Sequence, residues 1–179
     1  INFIPMTNAG CDFINIKLKE IKNINCTSDV FNYRNKKIIE SKNSLIIIHL
    51  NYLNSDQYNN LETRNKFTKN INFLLTQNNK IIFLYPIPQW QINVSKYFDN
   101  KFQKEKNNIQ SKLKLEKDFV TIKYDDFKKD SSVVFNILDN INNENIYRLY
   151  PHKIFCNTLI KGKCVANSTD DIYFIDNSH

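Results

Sequence analysis

The 179-residue chain predicts a three-layer α/β/α domain with a mainly parallel central sheet. Three observations carry that prediction. Residues 44–50 (Ser-Leu-Ile-Ile-Ile-His-Leu) and 80–85 (Lys-Ile-Ile-Phe-Leu-Tyr) are short, continuous apolar runs rich in β-branched residues, the pattern of strands buried on both faces. Between them, Leu61, Phe67, Ile71, Leu74 and Leu75 recur at spacings that a helix over 57–78 turns onto one face. Strand, helix and strand of these lengths make a βαβ unit with a right-handed crossover, and the same alternation continues downstream.

The remaining elements follow in order. Residues 1–6 read as a strand that ends at the turn cluster Thr7-Asn8-Ala9-Gly10-Cys11. The second buried run closes at Pro86-Ile87-Pro88. The highly charged stretch 97–117 predicts an exposed helix, and 119–124 alternates like a strand or extended segment. Phe127, Val133, Val134, Ile137 and Leu138 predict a helix over 126–141. A short strand at 146–150 leads into Pro151-His152, residues 156–171 form a polar loop, and Ile172–Ile175 is a final short strand. No linker rich in Ser, Gly or Pro divides the chain, so residues 1–179 are expected to form one domain. The chain opens on Ile1, already in a strand-like run, and closes on His179. It therefore reads as a piece of a longer protein, with elements missing at both ends.

Composition narrows the function. Hydrophobic residues make up 41% of the chain, enough for a globular core. No run approaches the roughly 18 apolar residues of a membrane span. Two glycines cannot supply a P-loop or a G-x-G-x-x-G turn. The net charge is +7, but it rests on scattered lysines, with 29 Asn, 25 Ile and 22 Lys against 3 Arg. Base readers favour the bidentate Arg fork, so no nucleic-acid partner is expected. The Asp125-Asp126 and Asp170-Asp171 pairs adjoin element ends, where acids serve as caps, and no metal site is assigned. His49 sits in an apolar strand and His152 follows Pro151, and both read as packed histidines.

The four cysteines fall into two local pairs, Cys11 with Cys26 and Cys156 with Cys164. Their gaps are longer than the C-x₂₋₄-C spacing that zinc prefers. Two disulfides in an exported domain and four buried thiols in a cytosolic one both fit the residues. At the end of the chain, Asp176-Asn177-Ser178-His179 follows the last strand. One turn brings that carboxylate to the imidazole, where it holds one ring nitrogen protonated and leaves the other outward as a general base.

Several of these segments, in this order, resemble the SGNH-hydrolase-like domain found at the C-terminal end of bacterial membrane acyltransferases, the O-antigen and exopolysaccharide O-acetylases. Tyr150–Cys156, Gly162-Lys163-Cys164 and Ile172–His179 look like that family's cysteine-bracketed loop and its D-x-x-H block. Leu84-Tyr85-Pro86-Ile87-Pro88 resembles its post-strand segment, and Thr7–Cys11 with Cys26 resembles its first disulfide region. The resemblance covers nearly the whole chain and implies the SGNH, flavodoxin-like version of the fold.

The resemblance also implies roles. His179 is the general base and Asp176 its orienting carboxylate. Gly10 and Asn51 are the oxyanion-hole donors, and Cys11–Cys26 and Cys156–Cys164 are disulfides. For Trp90, with Tyr85 and Tyr97, the residues themselves leave two readings, packing of the loop and stacking on a sugar ring. The nucleophile is a Ser in a Gly-Asp-Ser block on the strand before residue 1, and this chain holds no such block. The implied reaction is acetyl transfer to a hydroxyl of a cell-surface glycan, on the periplasmic or extracellular side of the inner membrane. The partner is a multi-span acyltransferase part of the same protein. No cofactor is held by this domain, and acetyl-coenzyme A is the donor used by the membrane part. The isolated piece is expected to be inactive. A secreted carbohydrate or lipid esterase and a non-catalytic glycan-binding domain are the alternative readings of the same fold.

Overall fold

The structure, a computed structural model, describes residues 28–50, 58–105, 119–169 and 171–174. The elements are α1 (Ser28–Glu40), β1 (Leu45–His49), α2 (Leu61–Thr76), β2 (Lys80–Leu84), α3 (Val94–Glu105), β3 (Thr121–Lys123), α4 (Tyr124–Asp139), β4 (Ile146–Leu149), α5 (His152–Phe155) and β5 (Lys163–Val165). Strands β1, β2 and β4 form a mainly parallel sheet in the order β1-β2-β4. Strands β3 and β5 pair separately and antiparallel. The expected strand at 1–6 lies outside the described residues, as does the end of the expected charged helix.

The chain falls into two compact units, one drawn from Ile1–Ile48, Asp56–Phe83 and Asp139–Tyr147, the other from His49–Ser55, Leu84–Leu138 and Arg148–His179. In the first, α2 starts at Asn60, whose Oδ1 accepts the Glu62 N–H at 2.8 Å. This satisfies one of the donors that a helix start leaves over. The helix buries Phe67, Ile71 and Leu74, and Phe67 meets Phe83 of β2 with ring centroids 6.4 Å apart. Ile81 and Phe83 of β2 are fully buried.

The turn after α2 rests on asparagine. Asn43, Asn78 and Asn157 are the non-glycine residues with positive φ among those described, at 50°, 59° and 59°. A chain with two glycines uses the residue type that next best tolerates the left-handed region. The following Asn79 is fully buried. Its Oδ1 accepts the Ser44 N–H, and its Nδ2 donates to the carbonyls of Ser41 and Leu74, each at 2.9 Å. One amide thereby ties the entry of β1 to the end of α2.

Two expectations change on contact with the structure. Strand β1 is not buried on both faces: Ile48 is buried, while Leu45 is 61% and Ile47 57% exposed, and His49 is exposed. In the described sheet β1 has one neighbour, β2, which fits a one-sided strand. The loop 156–171 is not wholly irregular, because Lys163–Val165 pair with Thr121–Lys123 in register Thr121↔Val165, Ile122↔Cys164 and Lys123↔Lys163.

The second unit is dominated by rings. Tyr85 and Phe98 are fully buried, as is Phe127 at 1%. Helix α4 begins at Tyr124 with Asp125 and Asp126 in its first turn, where negative charge complements the helix dipole. It packs Phe127, Ser131, Val134, Ile137 and Leu138 inward. The buried Ser131 hydroxyl is satisfied by the Phe127 carbonyl at 2.6 Å.

Candidate functional site

A disulfide-closed hairpin precedes the candidate site in the chain. Pro151 precedes the single turn of α5, and the Cys156 N–H closes that turn on the His152 carbonyl at 2.8 Å. Cys156 is bonded to Cys164. Inside the closed loop, Asn157 turns the chain with positive φ and donates its N–H to the Lys163 carbonyl at 2.8 Å. Its Oδ1 accepts the Gly162 N–H at 2.6 Å. Gly162 itself sits at φ 75°, a conformation a side chain would strain.

The chain then runs along β3 and turns back. Ala166 donates to the Val120 carbonyl at 2.9 Å, and Asn167, 1% exposed, accepts the Val120 N–H on its Oδ1 at 2.9 Å. Ser168 and Asp171 close the turn, and the Tyr173 N–H returns to the Ala166 carbonyl at 2.9 Å. Of the expected strand at 172–175, the described residues 172–174 hold one isolated bridge, Asn167↔Ile172. Phe174 ends this path, 3% exposed, between Trp90 (centroids 5.2 Å, edge-on) and Phe155 (5.1 Å). The residue before the disulfide and the residue two before Asp176 therefore share one aromatic contact.

Asp176 and His179 themselves lie outside the described residues, as do Gly10, Asn51, Cys11 and Cys26. Trp90 is 3% exposed, with its ring edge against Phe174, and its buried Nε1–H has no acceptor among the described residues. Asp125 is exposed at the start of α4 and pairs with Lys128 at 2.7 Å. The hydrogen bond from Lys128, then its charge, hold that carboxyl below the usual range.

The family model described as "SGNH domain (fused to AT3 domains)" matches residues 1–179. The chain belongs to this family. No curated protein and no solved structure matches it. The mainly parallel sheet with helices agrees with the SGNH-hydrolase fold. The SGNH membership and the AT3 fusion make the coarse role acyl transfer or esterase-like, with an acyltransferase part attached. Among the described residues no helix is long and apolar enough to cross a membrane.

The SGNH domain also buries a histidine among aromatic rings. His152 is 5% exposed and boxed by four rings: Phe135 at 5.2 Å, Phe127 at 5.7 Å, Tyr150 at 5.9 Å and Tyr124 at 6.2 Å. Its Nδ1 is buried without a partner among the described residues. Burial first, and the nearby Lys153 charge second, push this imidazole below its ordinary value. His152 thus fills the role of a neutral packed histidine, as expected. The box was foreshadowed only in part, by Phe127 on the apolar stripe of α4 and by the Tyr-Pro-His order.

Proposed function

We propose that this domain performs the ester chemistry of a membrane-bound O-acyltransferase, placing an acetyl group on a hydroxyl of a cell-surface glycan at the periplasmic or extracellular side of the inner membrane. The observation that carries the reading is the match of the whole chain to an SGNH domain of AT3 fusions. The D-x-x-H block at Asp176–His179 supports it, and so does the tightly bonded hairpin that leads into that block from Phe174.

In this reading Asp176 accepts the N–H of one His179 ring nitrogen and fixes the tautomer. His179 takes the proton from a serine hydroxyl of the family's Gly-Asp-Ser block, contributed from outside these 179 residues. The serine oxygen bonds to the acyl carbonyl. The oxyanion that forms is met by the Gly10 N–H and the Asn51 side chain. Collapse expels the donor's leaving group, which takes the proton from His179. The glycan hydroxyl then gives its proton to His179 as its oxygen bonds to the acetyl carbonyl, and collapse releases the serine oxygen, which takes that proton back from His179. Acetyl-coenzyme A is the donor, used by the membrane part, and this domain needs no cofactor of its own.

The test is the acetyl-ester content of the surface glycan in cells carrying the complete protein. His179→Ala abolishes the esters. Asp176→Asn lowers the rate by about 10⁴-fold, the scale of neutralising such an orienting carboxylate. Unchanged ester content in His179→Ala refutes the assignment.

A further inference from the structure

We propose that the tip of the Cys156–Cys164 hairpin, with the α5 turn before it, is a docking surface for an anionic lipid bilayer. This goes beyond the reaction above and does not depend on it. It uses only the family's fusion to membrane domains, which puts a bilayer within reach.

Three observations converge on this segment. The first is exposed apolar area: Ile154 is 68% and Leu159 52% exposed, on either side of the buried Cys156. Side chains of this kind scattered singly are ordinary, but here they flank one short closed loop. The second is charge. Lys153, Lys161 and Lys163 are all exposed, and no Asp or Glu occurs from residue 145 to residue 169; across the packing, Asp125 and Asp126 follow the Tyr124 whose N–H donates to the Gly162 carbonyl, and Asp125 is paired with Lys128. Elsewhere the lysines are interleaved with acids, as in the Lys66–Glu62 and Lys128–Asp125 pairs. The third is rigidity. The disulfide, the Asn157 N–H to Lys163 bond and the Gly162 N–H to Asn157 Oδ1 bond hold the tip in one shape. A preorganised tip loses little conformational freedom on docking.

Leucine and isoleucine beside exposed lysines match a membrane interface. The apolar side chains enter the boundary between headgroups and acyl chains, and the lysine ammonium groups remain with the anionic headgroups. A purely solvated loop explains the lysines but not the exposed Ile154 and Leu159. An acidic polysaccharide would engage the lysines but would have no use for the apolar pair.

The experiment is co-sedimentation of the whole 179-residue, disulfide-bonded chain with vesicles of phosphatidylcholine, with or without phosphatidylglycerol. The chain is expected to pellet with the anionic vesicles, less at high salt, and not with neutral ones. Lys161→Ser is expected to weaken binding about fivefold, the share of one lysine near an anionic surface. Leu159→Asp is expected to remove it. Lys69→Ser, an exposed lysine on α2, is the control and leaves it unchanged. Circular dichroism and a thiol assay confirm that each variant is folded and bridged. No binding to anionic vesicles overturns the proposal, as does equal binding to neutral ones. It is also overturned if Lys69→Ser weakens binding as much as Lys161→Ser. Binding that ignores Leu159→Asp and is competed away by a soluble acidic polysaccharide overturns it in favour of a glycan.

Discussion

His152 couples the second unit's aromatic core to pH. Its folded value lies below the ordinary 6.5, through burial and then the Lys153 charge. The unfolded chain therefore binds this proton more tightly than the folded one does. Stability from this group is complete above pH 6.5. It declines as pH falls from there toward the folded value, then levels off. The urea midpoint is expected to drop between about pH 8 and pH 5, a window in which carboxylates stay ionised. His152→Phe, which keeps a ring in the box, should flatten that drop, and an identical drop in the variant contradicts the assignment. At this scale the sequence pointed to a packed histidine after Pro151, but not to its neighbours. Tyr150 is the neighbour that the Tyr-Pro-His order brings close, whereas Tyr124 and Phe135 reach it from α4, a separate stretch of chain, and no local spacing encodes that.

At the scale of elements, the legible parts were those with local signals. The run that became β2 and the apolar stripes of α2 and α4 were readable because burial imposes period and composition on them, and the run that became β1 was readable from its β-branched residues. Helix α1 was not assigned, because its inward residues include Arg34 and Asn35, both about 5% exposed, which break the apolar pattern. Strand β5 was missed because three residues, Lys-Cys-Val, carry no periodicity, and its partner β3 lies some 40 residues away in sequence. The Cys156–Cys164 bridge, one of the two expected from the resemblance, is the device that shapes this region. With a sequence separation of 8, it should contribute about 2–3 kcal/mol by loop entropy. A Cys156→Ser, Cys164→Ser double variant is expected to lose that amount in denaturant unfolding. A loss below about 0.5 kcal/mol would mean that the turn bonds of Asn157 and Gly162 hold the hairpin unaided.

For the whole molecule, the α/β class came from pattern, whereas the D-x-x-H block gained its meaning from resemblance. An Asp three residues before a His is too common a spacing to name a reaction. What raises it is the order of segments around it, now joined by the family match across residues 1–179. The central claim is that Asp176 and His179 serve a covalent acyl-serine step. The most direct measurement is to give the complete protein an isotope-labelled acetyl donor, quench it in acid and map any label on its serines. The account predicts labelled acetyl on a serine in the unaltered protein and none in His179→Ala. Label that persists undiminished in His179→Ala, or glycan acetylation with no label on any serine, would contradict it.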